Sequence, residues 1–359
     1  MAETGVALGF LEEAEHWRLQ SHQFPSKVGG KPAWLSQLDI PGLPELACGK
    51  CQLPTAFLLQ VYAPITGQDR SFHRTLFVFC CKTPDCYSRN DSRCLKVFRC
   101  QLPRRNDFYP YNPPSDEDPN WTERDPGVHG SGVKLCKLCG CPGQKVCSKC
   151  HAVSYCSKEH QTIDWKHCHK KECCKQVPSS AVPSPFLFPE LELVTEPEEH
   201  QKEESSQMVG DAQNNVECSS VDDLAETELE DMAMHETEDG KVFQKFKRRI
   251  ASEPHQVLRY FRDGSPLWIS SEHVPVEKGI PHCSCGSRRI FEFQVFATET
   301  VSIKQIQVMP QLLNDLKVDS PDASIDWGTL AVYTCADSCD QGNKYSSEFI
   351  WKQDFTEQK

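Results

Sequence analysis

The chain has 359 residues, with 39 basic and 51 acidic side chains, so its net charge is −12 at neutral pH. Most of this charge is local: residues 181–240 hold 18 Asp and Glu against one Lys, which leaves the rest of the chain mildly basic. This balance does not favour a dedicated DNA-binding protein. No run of about 18 apolar residues is present, so we expect no membrane-spanning helix.

The chain contains 21 cysteines, and their number sets the expected chemistry. The N-terminus lacks the basic and apolar stretches of a secretory signal, so we expect a reducing compartment. There, cysteines are expected to bind zinc rather than to form disulfides. A chain of this length is expected to fold as two domains or more.

Residues 1–102 are predicted to form an N-terminal β half. Two apolar stretches, residues 57–64 and 72–79, are typical of strands, and cysteine pairs lie before the first strand and after the second. This order is typical of a zinc ribbon, and the expected ligands are Cys48, Cys51, Cys81 and Cys86. Because adjacent strand residues face opposite ways, only one of Cys80 and Cys81 is expected to face the ion.

Residues 103–132 are proline-rich and are predicted to be a linker into residues 133–175. The latter segment holds eight candidate metal ligands within 38 residues, which suits two tetrahedral zinc ions. If alternate ligand pairs share an ion, the first site is Cys136, Cys139, Cys156 and His160, and the second is Cys147, Cys150, His169 and Cys173. Three further cysteines, Cys141, Cys168 and Cys174, leave a neighbouring choice of ligand open.

Residues 176–240 are the acidic segment. Their low hydrophobicity and high charge predict a largely disordered linker from about residue 190. After it, apolar residues at helical spacing predict a helix around residues 242–250. A second short helix is predicted to begin at Ser252 and to end at Gly264.

Residues 241–359 repeat the N-terminal plan and are predicted to form a C-terminal β half. Residues 330–335 parallel residues 76–81, and this correspondence selects Cys81 rather than Cys80 as the ligand. The expected ligands of the second half are Cys283, Cys285, Cys335 and Cys339. Ordinary core cysteines are the alternative for this set.

One irregularity interrupts the repeat. Residues 291–295 parallel residues 57–61, but residues 296–306 have no counterpart and are predicted to be an insertion. The predicted fold class is therefore α+β and mostly β, with two related zinc-ribbon-like β halves. A zinc finger and an acidic disordered linker lie between them, with two zinc ions in the finger and one in each half.

Tyr155, Cys156, His160, Asp164 and Trp165 carry a resemblance to the MYND zinc-finger family. The family's sixth ligand is usually Cys, and here His160 would replace it, which zinc accepts equally well. The resemblance implies a finger that binds proteins, namely short proline-containing peptides or transcriptional corepressors. Residues 185–189 fit the proline-x-leucine-x-proline pattern of such peptides. They are expected either to occupy the finger in cis or to pack on the β core.

The chain as a whole resembles the programmed cell death protein 2 family. The resemblance rests on residues 24–30, Trp34, Leu35, residues 57–64, the finger, residues 242–246, residues 266–270, residues 325–328 and Trp351. It implies a dedicated chaperone that captures a small-subunit ribosomal protein for ribosome assembly. It also implies links with cell proliferation and apoptosis, and a location in the cytoplasm and the nucleus.

Two competing functions are weighed against the chaperone. The first is a nuclear DNA-binding or transcriptional regulator that acts through the finger, but the finger lacks the C2H2 pattern that reads bases. The second is an enzyme. We expect no catalysis, because four protein ligands saturate each predicted site and catalytic zinc needs an open position. No phosphate loop, nucleophile elbow or His-Glu-x-x-His motif is present.

Overall fold

The computed structural model describes residues 5–36, 38–115, 132–174, 184, 186–198, 237–296, 312–316 and 325–355. Within these residues the chain is mostly β, as predicted, and one large sheet dominates the fold. No helix in the described part of the chain is long and apolar enough to cross a membrane.

The described strands and helices are short. The strands are β1 Ala7–Glu12, β2 Lys27–Val28, β3 Ala56–Tyr62, β4 His73–Cys80, β5 Leu95–Leu102, β6 Lys145–Val146, β7 Ser154–Tyr155, β8 Leu191–Pro197, β9 Leu258–Tyr260, β10 Arg289–Phe296, β11 Thr329–Cys335, β12 Ser346–Ser347 and β13 Phe349–Gln353. The α-helices are Leu43–Leu46, Lys158–Asp164, Lys170–Glu172, Glu238–Ala251 and Leu312–Asp315, and a π-helical turn spans Trp165–His169. Single 3-10 turns are His16–Leu19, Ser21–Gln23, Asp69–Ser71, Pro84–Cys86, Ser92–Cys94 and Glu277–Gly279.

The main sheet nearly closes into a barrel. Its strand order is β12-β5-β4-β3-β2-β8-β1-β9-β10-β11-β13. The two terminal strands of this order, β12 and β13, are separated by Glu348 alone, so one stretch of chain pairs with β5 and then with β11. The Glu348 N–H donates to the carbonyl of Val97 at 2.9 Å and joins the two ends of the sheet.

The hairpins β3–β4 and β10–β11 share one register. Each contains a bulge, and the extra residue is Leu58 in the first hairpin and Glu292 in the second. Each also places an aromatic pair at one end and an aliphatic pair at the other. The matching pairs are Phe57–Phe79 and Val61–Leu76 in the first hairpin, and Phe291–Tyr333 and Val295–Leu330 in the second.

Two strands cross between the hairpins. β1 precedes the first hairpin in the chain but pairs with β9, which lies beside the second hairpin. β8 precedes the second hairpin but pairs with β2, beside the first. β1 and β8 also pair with each other, with Ala7 opposite Pro197 and Glu12 opposite Glu192. Each half of the sheet is therefore completed by a strand from the other half of the chain.

The prediction of disorder from about residue 190 is wrong for β8, which belongs to the main sheet. Leu193 is buried, and the strand has a partner on each side. Arginines pair with an acidic side chain of the strand and with one just after it: Arg18 lies 3.1 Å from Glu192, and Arg259 lies 2.6 Å from Glu198. Composition alone cannot predict these contacts, because the partners lie far away in the chain. The rest of the predicted disordered linker, residues 199–236, lies outside the described residues.

The predicted linker at residues 103–132 begins as a docked segment. Tyr109 is buried, and its hydroxyl donates to the carbonyls of Leu35 at 2.8 Å and Trp34 at 3.2 Å. Asn106 turns the chain here, because its side-chain oxygen accepts from the N–H groups of Phe108 and Tyr109. Residues 116–131 of this linker lie outside the described residues.

The predicted helix around residues 242–250 is confirmed and spans Glu238–Ala251. Its buried face contains Phe246 and Ile250, which pack against Phe296 at the end of β10. The predicted helix from Ser252 to Gly264 is wrong, because β9 occupies this stretch. Pairing with β1 and β10 on both sides overrides the local preference. Apart from Phe296, the predicted insertion at residues 296–306 lies outside the described residues.

A buried ionic cluster joins the two hairpins inside the sheet. Arg74 of β4 and Glu292 of β10 are both fully buried, and Arg74 Nη2 lies 2.7 Å from Glu292 Oε2. The Tyr260 hydroxyl also donates to Glu292 at 3.0 Å. Burial opposes ionisation of Glu292, but the Arg74 guanidinium, the Thr334 hydroxyl and Arg262 together outweigh it and hold the pKa of this carboxyl below its usual value.

Candidate metal centres

The finger's first ligand set lies between a tight turn and a helix. Cys136 and Cys139 flank the turn, and Cys156 follows β7. His160 lies in the first turn of the helix Lys158–Asp164, where the Ser157 hydroxyl accepts the His160 N–H at 3.1 Å and caps the helix. The Cys139 and Cys156 sulfurs are 3.7 Å apart, and His160 Nδ1 lies 3.1 Å from the Cys156 sulfur.

The second ligand set uses the end of the same helical segment. Cys147 and Cys150 form the turn after β6. His169 ends the π-helical turn, and Cys173 directly follows the helix Lys170–Glu172. His169 Nε2 lies 3.5 Å from the Cys150 sulfur. The backbone bond from Cys173 N–H to the His169 carbonyl, at 2.7 Å, puts both side chains on one face.

Each half of the main sheet carries a four-cysteine set beside its central hairpin. In the first half the Cys51 and Cys81 sulfurs are 3.6 Å apart. In the second half the Cys285 and Cys335 sulfurs are also 3.6 Å apart. The complete sets are Cys48, Cys51, Cys81 and Cys86 in the first half, and Cys283, Cys285, Cys335 and Cys339 in the second.

The distances suit zinc. Four sulfurs bound at about 2.3 Å around a tetrahedral ion lie about 3.8 Å from one another, close to the 3.6–3.7 Å between the sulfurs of these sets. A disulfide would need about 2.05 Å. Thiolate and imidazole are the ligands that zinc prefers. The sixteen predicted ligands thus come together in the four predicted sets, with the finger's two sets interleaved along the chain.

The remaining cysteines lie outside these sets. Cys80 faces the inner core, and burial raises the pKa of its thiol to about 12. Cys141 is buried beside the first finger set but contributes no ligand atom to it. Neither Cys168 nor Cys174 joins a set, although both neighbour the second one. Among the described residues, the geometry therefore favours Cys81 over Cys80 as a ligand. It places Cys141, Cys168 and Cys174 outside the four sets.

The finger packs on the outer face of the first half. Trp34, Phe57, Phe77 and Phe79 form this face, and Leu138 of the finger is buried against it. The Trp34 indole N–H donates to the Gly140 carbonyl at 2.8 Å, in the turn after the first ligand pair. Gly140 has φ +74°, and a Cβ there would lie 2.9 Å from Lys31. A residue with a side chain would therefore disturb both the turn and the contact.

We expect Trp34→Phe to loosen the finger from the sheet, because the substitution keeps most of the apolar contact and leaves the buried Gly140 carbonyl without a donor. The free energy that holds the finger on the sheet is expected to fall by about 1–3 kcal/mol. Faster hydrogen exchange across residues 132–174 measures this loss. Trp351→Phe is the matched control, because its indole N–H donates to the carbonyl of exposed His273. Equal exchange in the two variants would contradict the proposed contact.

Residues 186–190 connect the finger to the sheet. Phe188 is buried in the inner core, as expected for packing on the β core. Phe186 instead lies against His160, with ring centroids 4.1 Å apart in an edge-to-face arrangement. Within the described part of the chain, the other ring nitrogen of His160, Nε2, is buried without a hydrogen-bond partner. Packing of this segment on the β core is thus confirmed for Phe188, and Phe186 contacts the finger at His160. Occupation of the finger by residues 185–189 in cis stays a prediction, and Pro185 lies outside the described residues.

These features define a zinc-finger protein built on a mostly β scaffold. The MYND finger model matches residues 136–173. The model described as the N-terminal domain of programmed cell death protein 2 matches residues 5–116, and the C-terminal domain model of that protein matches residues 240–306 and 298–354. The chain therefore belongs to the programmed cell death protein 2 family.

Relatives support this assignment over nearly the whole chain. "Programmed cell death protein 2" of Bos taurus is 49% identical over 98% of this chain and 96% of its own length. "Programmed cell death protein 2-like" of Homo sapiens is 27% identical over 88% of this chain and 85% of its own. "Probable 20S rRNA accumulation protein 4" of Schizosaccharomyces pombe is 23% identical over 94% and 93%. No solved structure matches the chain.

Proposed function

We propose that this protein is a non-enzymatic chaperone that captures a newly made small-subunit ribosomal protein. The observation that carries the proposal is the fission-yeast relative named for 20S rRNA accumulation, which aligns over 94% of this chain. Its name links the family to ribosomal RNA, and the family resemblance supplies the class of client. The finger supports a protein-binding role, since MYND fingers bind proteins.

The metal sites support a structural rather than a catalytic role for zinc. We propose four ions per chain, each held by four protein side chains. A zinc ion with four protein ligands has no open position for water or substrate, so it stabilises the fold without activating a reactant. Zinc in the two sheet sites would fix the ends of the hairpins, and zinc in the finger would fold residues 136–173.

The charge distribution supports a basic client. Residues 181–240 carry 18 acidic side chains and one Lys. A concentrated negative charge raises the rate of encounter with a basic protein and competes with nucleic acid for it. Ribosomal proteins are basic as a class. We propose that the protein acts in both the cytoplasm and the nucleus, along the route of such a client.

We also propose that the two halves of the sheet are related. The shared hairpin register supports this relation, as do two equivalent side-chain contacts. The Gln60 amide accepts the Ala33 N–H at 2.9 Å, and the Gln294 amide accepts the Leu267 N–H at 2.6 Å. In both halves a tryptophan follows the bound residue, Trp34 in the first and Trp268 in the second.

Affinity capture of the newly synthesised, tagged full chain tests the proposed function. We expect one small-subunit ribosomal protein to be recovered in large excess over all other ribosomal proteins, because a dedicated chaperone binds its client before assembly. Recovery of chromatin factors without a ribosomal protein would instead support a transcriptional regulator. A variant with Cys139→Ser, which removes a finger ligand, shows whether capture needs the folded finger.

A further inference from the structure

The outer face of the first half already has an occupant. The finger covers the aromatic side chains of β3 and β4, with Leu138 packed on them and the Gly140 carbonyl bound to the Trp34 indole. This occupant is a polypeptide loop with two recognition elements: an apolar side chain and a backbone carbonyl that accepts the tryptophan N–H. The same elements would be needed by any polypeptide that binds an equivalent face.

The second half has an equivalent face. The glutamine contacts place Leu267 at the position of Ala33, so Trp268 is the counterpart of Trp34. The hairpin registers likewise match Phe291 with Phe57 and Tyr333 with Phe79. Six aromatic residues form one cluster here, which we call the Trp268 face. They are Phe261, Trp268, Phe291, Tyr333, Phe349 and Trp351.

The Trp268 face is less covered than its counterpart at Trp268. Trp34 is 1% exposed, whereas Trp268 is only partly buried. Trp351, also partly buried, is covered on one side by His273, whose ring stacks on it at 4.5 Å and whose carbonyl accepts its indole N–H. The indole N–H of Trp34 has an acceptor, but that of Trp268 has none within the described part of the chain. Val276, in the loop beside this face, is 71% exposed. Within the described residues, the face therefore retains apolar surface and an N–H donor without an acceptor at the position where the first half binds the finger.

We propose that the Trp268 face binds the client polypeptide, through a client loop that presents an apolar side chain next to an unpaired backbone carbonyl. This inference rests on the proposed chaperone function and adds the surface that performs it. The client loop packs on Trp268 and Trp351 and accepts the Trp268 N–H, as the finger's Gly140 carbonyl accepts the Trp34 N–H. A partly buried tryptophan beside other aromatics is typical of an energetic hot spot in an interface.

The test compares client recovery by three full-length proteins with equal zinc content. We expect the double variant Trp268→Ala/Trp351→Ala to recover at least about tenfold less ribosomal protein than the wild type. The control is Phe72→Ala/Tyr111→Ala, which removes two exposed aromatics, one from the first half and one from the segment after β5, and is expected to leave recovery unchanged. Undiminished recovery by the Trp268-face variant, at equal thermal stability, overturns the assignment.

Photo-crosslinking keeps the proposal testable if the double variant does not fold. A photo-reactive amino acid at position 276 is expected to crosslink to the ribosomal protein, and one at exposed position 53 of the first half is not. Crosslinking at position 276 to a second copy of this chain, or to a segment of the same chain, contradicts a client site. If the wild type captures no ribosomal protein at all, the chaperone function itself fails, and the inference fails with it.

Discussion

Cys139→Ser is expected to remove zinc from the finger and to unfold residues 136–173 while the main sheet stays folded. A segment of this size has too little apolar core to fold alone, and structural zinc supplies about 10–16 kcal/mol of apparent folding energy in such units. The two finger sets alternate along the chain, with Cys147 and Cys150 lying between Cys139 and Cys156. Loss of the first ion is therefore expected to weaken the second site as well.

Cys141→Ser is the matched control for this substitution. Cys141 lies two residues away and is as buried as Cys139, but its sulfur belongs to no ligand set. Native mass spectrometry should give four zinc ions for the wild type and for Cys141→Ser, and two or three for Cys139→Ser. Limited proteolysis should cut the finger only in the Cys139→Ser protein. Equal zinc content in both variants would show that Cys139 is not a ligand.

The metal sites could be predicted because their information is local. Paired cysteines two residues apart, as in Cys48 and Cys51, identify a metal-binding turn without knowledge of the fold. The choice of Cys81 over Cys80 also required the internal repeat. In this repeat Cys335 is the counterpart of Cys81, and Cys335 has no cysteine immediately before it. The hairpin structure agrees with this choice, since Cys80 pairs with Leu95 inside β4, whereas the Cys81 sulfur lies with those of Cys48, Cys51 and Cys86.

The contacts that the sequence did not predict join residues far apart in the chain. β8 lies in a segment whose acidic composition is typical of disorder, and its pairing with β1 and β2 makes it a strand. The packing of Phe186 on His160 and the bond from Trp34 to Gly140 likewise depend on how the finger docks. No local period or motif contains such information. Arg74 and Glu292 are a further case, because the sequence shows each only as an isolated charge within a predicted strand and does not show that the two meet.

Glu292→Gln is expected to destabilise the main sheet by about 3–5 kcal/mol, because it leaves the Arg74 guanidinium buried without its counter-ion. The pair links β4 to β10 and is fully buried, so solvent does not screen the loss. Urea unfolding measures the effect as a lower midpoint. The control is Arg70→Met, which breaks the partly exposed ion pair with Asp340 and should cost about 0–1 kcal/mol.

The double variant Arg74→Met/Glu292→Leu is expected to recover most of the stability lost in Glu292→Gln. Leu58 occupies the same bulge position in the first hairpin, so the fold accommodates leucine there. Replacement of a whole buried ion pair by apolar residues of similar volume is often neutral, whereas removal of one partner is not. A double variant as unstable as Glu292→Gln would show that the site requires charge.

Acid titration separates the ion pair from a purely steric effect. Because the pKa of Glu292 is lowered in the folded state, its contribution is present above the ordinary pKa of glutamate and is lost as the pH falls through the folded value. The unfolding free energy of the wild type, measured relative to the double variant, should therefore decrease on acidification. Zinc sites are the same in both proteins, so their protonation cancels in this difference. A difference that does not change with pH would mean that Glu292 is not ionised in the folded protein.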